Sequence, residues 1–253
     1  MNGKIAIVTG AAQGIGAAVA LALSRRGVRV AALDIQADAL AQLAGQQPGG
    51  IHPYPVDLRA SPAVNAVVET IETELGPVDM LVNVAGILRM GSICDMSDDD
   101  WDATFAVNLH GVFYLSRAVA RRMLPRRQGA IVTVGSNAAA VPRLRMAAYA
   151  ASKAAAGHFT KCLGLELAEH GIRCNVVSPG STDTAMQRAF CPSPEDVQKV
   201  LDGSLPGYRT GIPLGRIASP QDIAAAVVFL LGDEARHITM HDLRVDGGAT
   251  LGV

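Results

Sequence analysis

A tyrosine and a lysine four positions apart could form a base that removes a proton from an alcohol. Tyr149 and Lys153 have this spacing in the stretch "AAYAASKAAAG", and in a helix they would share one face. An ammonium about 5 Å from the phenol favours the phenolate by roughly 3 kcal/mol at an effective dielectric constant near 20, which lowers the phenol pKa by about two before desolvation is counted. The phenol could then accept an alcohol proton, although such a pair also occurs by chance in many helices.

Two polar residues elsewhere in the chain could complete this reactive centre. Ser136 follows the apolar stretch "AIVTVG" (130–135) and could hold the substrate oxygen by a hydrogen bond. Asn108 could support a bound water behind Lys153. Neither residue identifies a site by itself, since a serine after a strand is also an ordinary turn residue.

A glycine-rich turn near the N-terminus is typical of a nucleotide-binding site. Gly10, Gly14 and Gly16 lie in "VTGAAQGIG", directly after the first predicted strand and at the start of a helix. Glycines there let the main chain turn sharply and approach a pyrophosphate, which the helix N-terminus binds through its free N–H groups. The G-x-x-x-G-x-G spacing alone also fits a tight turn in another α/β protein.

Acidic residues after the next two strands bear on which nucleotide binds. Asp34 ends the second strand, where its carboxylate could accept both adenosine ribose hydroxyls and repel the 2′-phosphate of NADP. No arginine follows Asp34 directly, so we predict NAD as the cofactor; the alternative is that Asp34 only caps a turn. Asp57, ending the third strand in "YPVDL", could accept a hydrogen bond from the adenine amino group or could be a solvated turn residue.

Short apolar runs alternate with helical patterns along the whole chain. Predicted strands lie at 5–9, 29–34, 79–84, 130–135, 173–178 and 243–247, and helical periodicity at 15–26, 62–75, 100–123, 149–169 and 220–231. Strands separated by helices indicate a parallel sheet covered on both faces, because parallel strands need a crossover connection. We therefore predict a single α/β domain over residues 1–253, a Rossmann-type doubly wound parallel sheet of about seven strands with helices on both faces. The segment 186–215, with four prolines and four glycines, is predicted to be a mobile substrate-loop excursion over the site.

The composition excludes several other classes of protein. The 253 residues are 49% hydrophobic and 18% charged with a formal net charge of −1, so neither nucleic acid nor an anionic membrane is an expected partner. No apolar stretch is long enough for a signal peptide or a membrane span, which predicts a cytoplasmic protein. Four scattered cysteines predict reduced thiols. Six histidines without H-x-x-x-H spacing predict no protein-bound metal.

Together these motifs resemble those of the short-chain dehydrogenase/reductase family over essentially the whole chain. The resemblance implies that Tyr149 is the acid/base and that Ser136 positions the reacting oxygen. Lys153 would bind the nicotinamide ribose and tune Tyr149, and Asn108 would belong to a proton relay. The residues that the resemblance assigns to NAD are Gly10, Gln13, Gly14, Ile15, Gly16, Asp34, Asp57, Leu58, Asn83, Ala85, Gly86, Tyr149, Lys153, Pro179, Gly180, Thr182 and Thr184.

Arginines near the reactive centre suggest a charged substrate. Arg143 and Arg145 lie between Ser136 and Tyr149, in a loop that lines the substrate pocket in this family, and Arg89 in "AGILRMG" would lie at the opposite wall. Guanidinium groups there suggest a substrate carboxylate, because arginine offers it a planar bidentate match. The alternative is that one or more of these arginines are surface groups.

Longer stretches resemble one subfamily, the 2,3-dihydro-2,3-dihydroxybenzoate dehydrogenases of catecholate siderophore pathways; among them are "RCNVVSPGSTDTAMQR" and "GIPLGRIA". The implied reaction is NAD-dependent oxidation of a carboxylated cyclohexadiene alcohol to the aromatic catechol. That subfamily has a glycine where this chain has Arg145. The residues expected to bind the substrate are Arg89, Ser136, Arg143, Met146, Met186 and Gln187. Of these, the two methionines are equally expected to fill the core.

Other interpretations remain open at this point. A dehydrogenase for trans-2,3-dihydro-3-hydroxyanthranilate would bind the same carboxylated ring with an amino group replacing one hydroxyl, and the motifs fit both substrates. An NADPH-dependent ketoacyl or sugar reductase is opposed by Asp34, and a non-catalytic NAD-sensing protein would share the fold. The resemblance also implies a homotetramer, built on the helices at 100–123 and 149–169 and on the C-terminal "VDGGATLG".

Overall fold

Seven parallel strands form one sheet in the computed structural model, which describes residues 1–253. The strands are β1 (Ile5–Thr9), β2 (Arg29–Asp34), β3 (Ile51–Pro55), β4 (Met80–Asn83), β5 (Gly129–Val134), β6 (Ile172–Pro179) and β7 (Asp242–Val245). Their order across the sheet is β3-β2-β1-β4-β5-β6-β7. This arrangement confirms the predicted Rossmann-type parallel sheet, and the order reverses between β1 and β4, where such folds bind ligands.

Helices cover both faces of the sheet. They are α1 (Gly14–Ser24), α2 (Ala37–Gly45), α3 (Ser61–Glu74), α4 (Asp98–Phe105), α5 (Val112–Met123), α6 (Ala147–Leu167), α7 (Ala185–Phe190), α8 (Pro194–Asp202) and α9 (Pro220–Leu231). None of them combines the length and the apolar character that are needed to cross a bilayer.

Two apolar cores lie on opposite faces of the sheet because successive strand residues point to opposite sides. In β1, Ala6 and Val8 join the core that α1 and α9 cover, whereas Ile5 and Ile7 join the core beneath α3 and α5. All five residues of β1 are buried, as expected for a central parallel strand covered on both faces. The two cores hold the sheet rigid beneath the ends of its strands.

The predicted continuous helix at 100–123 is interrupted. Between α4 and α5 the chain forms a π-helical segment, Ala106–Gly111, which contains Asn108. Periodicity did not reveal the interruption, because apolar residues recur through both helices. The wider π turn directs the Asn108 side chain inward, and such segments frequently occur at functional sites.

The segment 186–215 is more regular than its prolines and glycines suggested. It contains most of α7 and all of α8, and both helices begin at a hydroxyl cap: Thr184 accepts from the N–H of Gln187 at 3.2 Å, and Ser193 from that of Asp196 at 3.2 Å. Residues 186–202 are thus mostly helical, and the mobility of the segment stays a prediction. Pro194 occupies the first turn of α8, where proline favours a helix.

Candidate active site

A cleft of about 630 Å³ opens at the carboxyl ends of the strands, beside the point where the strand order reverses. This volume suits a ligand of drug size or larger. Most of the residues singled out from the sequence line it: Gly10, Gln13, Gly14, Ile15, Gly16, Asp34, Asp57, Leu58, Ala85, Gly86, Arg89, Ser136, Arg143, Met146, Tyr149, Lys153, Pro179, Gly180, Thr182, Thr184, Met186 and Gln187.

The glycine-rich turn forms the end of the cleft next to β1. At Gly10 the main chain has φ +61°, and a Cβ there would lie 2.9 Å from Cα of Ala85. A Cβ at Gly16 would lie 2.1 Å from the main-chain oxygen of Gly10. Any other residue at these two positions would therefore force the turn apart.

The N-terminus of α1 fits a bound pyrophosphate. The helix begins at Gly14, and the preceding Gln13 makes no side-chain cap. The first N–H groups of the helix consequently stay free, with the partial positive charge of the helix dipole behind them. These groups, together with the close approach that Gly10 allows, suit the diphosphate of a dinucleotide.

Asp34 is held in place at the end of β2. One carboxylate oxygen accepts from the N–H of Ala12 at 3.2 Å and the other from the N–H of Gln36 at 3.1 Å. Each oxygen keeps further acceptor capacity for a ribose hydroxyl. The next residue, Ile35, is exposed and lines the cleft, and being uncharged it supplies no cation for a 2′-phosphate.

Asp57 has a partner that the sequence did not reveal. Because β3 ends at Pro55, Asp57 lies two residues beyond the strand instead of at its end. Arg59 donates hydrogen bonds to this carboxylate, from Nη2 to Oδ2 at 2.7 Å and from Nε to Oδ1 at 3.0 Å. These hydrogen bonds hold the pKa of Asp57 below its usual value. Both residues line the cleft, so an adenine ring would meet an ion pair and not a lone carboxylate.

Tyr149 and Lys153 face the cleft from α6 at its opposite end. Lys153 is only 5% exposed, and its Nζ donates to the main-chain oxygen of Val134 at 2.8 Å. The same Nζ lies 5.9 Å from the centroid of the Tyr149 ring. The sequence spacing thus places the two groups on one helix face, next to the end of β5.

The pKa of Tyr149 lies above its ordinary value. Burial raises it, and the neighbouring Ser136 hydroxyl acts weakly in the opposite direction. Burial also lowers the pKa of Lys153 to about 8. The predicted effect of the ammonium on the phenol leaves desolvation out and stays a prediction, because burial is the larger effect on the pKa of Tyr149.

Asn108 is fully buried and forms hydrogen bonds with Ile87 and with Ser152, the residue before Lys153. Its amide nitrogen donates to the main-chain oxygen of Ile87 at 3.0 Å and to Oγ of Ser152 at 3.0 Å, and its oxygen accepts from the N–H of Ile87 at 2.8 Å. Asn108 itself does not line the cleft. The side chain ties the loop after β4 to α6, the helix that carries Tyr149.

The side chain of Asn83 lies in the core and not in the cleft. It is 3% exposed and donates to Oγ of Ser116 at 3.0 Å. The expected cofactor contact from Asn83 is therefore wrong for its side chain. Strand alternation explains the difference, because β4 points Asn83 toward α5 while the main chain reaches the cleft only from Val84 onward.

The predicted arginines have three different environments. Arg89 lines the cleft, but its Nε lies 3.4 Å from Oδ1 of Asp100. Arg143 lines the cleft half-buried, with its pKa lowered first by burial and then by the like charge of Arg209. Arg145 is exposed outside the cleft and has φ +63°, the conformation that glycine prefers.

Sequence reasoning missed Arg209, which lines the cleft with Arg143. Its turn is closed by paired main-chain hydrogen bonds with Ser204, of 2.9 and 3.0 Å. No periodicity or motif marks this arginine. Its cationic type, in a segment expected to cover the site, is the only signal that could have found it.

The comparisons with known proteins agree with this geometry. The family model for short chain dehydrogenases matches residues 4–194. The chain is 56% identical to the 2,3-dihydro-2,3-dihydroxybenzoate dehydrogenase of Bacillus subtilis (strain 168), covering 100% of this chain and 98% of that protein. It is 45% identical to the enzyme of the same name from Escherichia coli (strain K12), covering 99% and 98%.

The solved structures include a close match to the fold. The structure of gox2181 superimposes with a TM-score of 0.92 at 31% identity, covering 99% of this chain and 97% of that one. Agreement therefore extends through the sheet, the glycine turn and the helix that carries Tyr149 and Lys153. The chain belongs to the short-chain dehydrogenase/reductase family and is an oxidoreductase that uses a nicotinamide cofactor.

Proposed function

We propose that the protein oxidises 2,3-dihydro-2,3-dihydroxybenzoate to 2,3-dihydroxybenzoate with NAD+, as a step of siderophore or related secondary-metabolite biosynthesis. The observation that carries this proposal is one cleft that joins the half-buried Tyr149 and the buried Lys153 to the unpaired guanidinium of Arg143. The names of the relatives at 56% and 45% identity support the same substrate.

The reaction needs a hydride acceptor and a base. When bound, oxidised nicotinamide accepts the hydride from the ring carbinol carbon and adds a positive charge to the site. Tyr149 takes the hydroxyl proton, Ser136 holds the reacting oxygen, and Lys153 binds the ribose and supports the phenolate. The resulting cyclohexadienone tautomerises to the catechol, and the gain of aromaticity draws the reaction toward oxidation.

Because the pKa of Tyr149 is raised in the protein, binding of cofactor and substrate must lower it before Tyr149 can act as a base. Burial alone keeps the phenol of Tyr149 protonated, so the base must be made stronger within the ternary complex. Positive charge beside the phenol, from Lys153 and from the oxidised nicotinamide, stabilises the phenolate. Once the phenolate has taken the substrate proton, Tyr149 is again the neutral phenol that burial favours.

NAD, and not NADP, is the proposed cofactor. The carboxylate of Asp34 is fixed by the N–H groups of Ala12 and Gln36, and it would repel a 2′-phosphate while accepting ribose hydroxyls. The uncharged Ile35 offers no compensation.

The test of this function is a direct assay with a matched pair of tyrosine variants. We expect NADH formation from the dihydrodiol acid, and a loss of at least about 100-fold in kcat for Tyr149→Phe. Tyr208→Phe is the control, because Tyr208 is 83% exposed and lies outside the cleft. Full-rate turnover by Tyr149→Phe would remove the proposed mechanism. Preference for trans-2,3-dihydro-3-hydroxyanthranilate in a parallel assay would replace the proposed substrate.

A homotetramer in the cytoplasm is also proposed. Large apolar side chains on the outer surface of α5 and α6 and at the C-terminus support a contact between copies, among them Phe113, Leu165, Leu251 and Val253. The four cysteines are unpaired, which suits a reducing compartment. Light scattering should give four times the chain mass of 26.3 kDa, and a monomeric mass would contradict the assembly.

A further inference from the structure

We propose that Arg209, in the turn after α8, binds the carboxylate of the substrate together with Arg143 and so determines specificity for carboxylated rings. The inference rests on the proposed function, since it assigns a second residue to the same substrate group. It also replaces Arg89, the partner that the sequence suggested.

Two arginines of the cleft have no ion-pair partner. Four arginines line the cleft, and two of them are already neutralised: Arg59 by Asp57 at 2.7 Å and Arg89 by Asp100 at 3.4 Å. No carboxylate lies within 4.0 Å of Arg143 or Arg209. Uncompensated positive charge in the cleft is therefore concentrated at these two guanidinium groups and at Lys153.

The two free guanidinium groups also line one small cavity beside the cleft, together with Asn137 and Ser181. The charge of Arg209 acts on Arg143 strongly enough to help lower its pKa, and Asp246 is the acidic group that opposes this. Asp246 is itself engaged by Thr250 at 2.7 Å and Asn137 at 3.3 Å. Repulsion between Arg143 and Arg209 would be relieved by an anion that bridges them, and a carboxylate has two oxygens to do so.

Arg143 and Arg209 come from separate segments of the chain and line the cleft together with the reactive residues. Arg143 precedes Tyr149 by six residues, in the loop between β5 and α6, whereas Arg209 comes from the turn after α8. Ser136, Tyr149, Arg143 and Arg209 all line the same cleft. A ring whose carboxylate is held from two separate segments has fewer orientations open to its carbinol, and this positioning favours hydride transfer from one carbon.

Arg209→Met tests the assignment, because methionine keeps the side-chain length and removes the charge. We expect KM for the dihydrodiol acid to rise roughly tenfold, the effect of one charge-assisted hydrogen bond at a partly exposed site, with kcat changed less than about twofold. Arg209→Lys should recover part of the loss. Arg188→Met is the control, because Arg188 belongs to the same 186–215 segment, pairs with Asp183 and lies outside the cleft.

A binding measurement separates this inference from the proposed function. Benzoate and benzamide are titrated into the NADH-saturated protein; they share a ring and differ in charge. Arg209→Met should weaken benzoate binding roughly tenfold and leave benzamide within about twofold. Equal weakening of both, or no weakening of either, would overturn the assignment. If wild-type protein fails to oxidise the dihydrodiol acid but benzoate binding still depends on Arg209, the anion subsite stands and only the proposed substrate falls.

Discussion

Lys153 lies beneath Tyr149 with its ammonium nitrogen 5.9 Å from the ring centroid and 2.8 Å from the main-chain oxygen of Val134. Burial lowers the pKa of this lysine to about 8 from its ordinary 10.5. The folded protein therefore binds fewer protons than the unfolded chain between these two pH values. Keeping the charged lysine buried at neutral pH costs about 3 kcal/mol before its hydrogen bond is counted, so the site holds a charge at the expense of stability.

Lys153→Met should stabilise the protein and reduce its activity. At pH 7 we expect the free energy of unfolding to rise by about 1 kcal/mol, because loss of the hydrogen bond to Val134 offsets part of the relief. Turnover should fall at least about 100-fold. As the pH rises from about 8 toward 10.5, wild type should gain stability and the difference should shrink. Urea unfolding at several pH values measures this, with the exposed Lys199→Met as control; a difference that is independent of pH would contradict the argument.

The pH profile of oxidation should depend on Ser136. Tyr149 must lose its proton to act as base, and burial raises its pKa, so kcat/KM should increase with pH through the neutral and alkaline range. Ser136 lowers the pKa of Tyr149. Ser136→Ala should therefore move the rise of kcat/KM to higher pH and also reduce the rate.

Steady-state assays across the pH range give both effects of the Ser136 substitution. Because Ser136 also accepts from the N–H of Ala138 at 3.1 Å, the melting temperature of the variant serves as the check on structure. If kcat/KM of Ser136→Ala rose at the same pH as in wild type, or at a lower pH, Ser136 would not act on Tyr149.

Local spacing explains why much of the site could be predicted. Tyr149 and Lys153 face one another because a helix repeats every 3.6 residues, and Asp34 is placed by the end of a strand that its neighbours define. The glycine turn follows in the same way from the strand and helix that it joins. Such residues need only a correct assignment of the element that carries them.

Residues placed by long-range packing could not be predicted. Arg209 reaches the cleft because the chain folds back after α8. Arg59 is only two residues from Asp57, but the spacing does not show that its side chain turns back onto the carboxylate. Asn83 was expected to contact the cofactor, but its position in β4 directs the side chain into the core. The direction of the Tyr149 pKa also depends on burial, which spacing alone does not reveal.

Cofactor choice should depend on Asp34. In Asp34→Asn the shape is retained while the charge is removed, and adding Ile35→Arg supplies a partner for a 2′-phosphate. The ratio of kcat/KM for NAD+ to that for NADP+ should fall at the first step and by at least about 100-fold in the double variant, because repulsion is removed and an attraction is added. Initial rates with both cofactors test this. An unchanged ratio in the double variant would mean that Asp34 does not face the ribose.

Arg145→Gly should stabilise the protein without changing its kinetics. Arg145 is exposed with φ +63°, and a residue with a Cβ in that conformation costs about 1 kcal/mol relative to glycine. A glycine at this position, as the resemblance implies for the subfamily, would suit the main-chain conformation. Leu144→Gly is the control, since Leu144 lacks a positive φ and its replacement should reduce stability. Chemical denaturation measures both variants. If KM for the carboxylated substrate instead rose in Arg145→Gly, Arg145 would have to reach the substrate, and the pairing of Arg143 with Arg209 would no longer account for carboxylate binding.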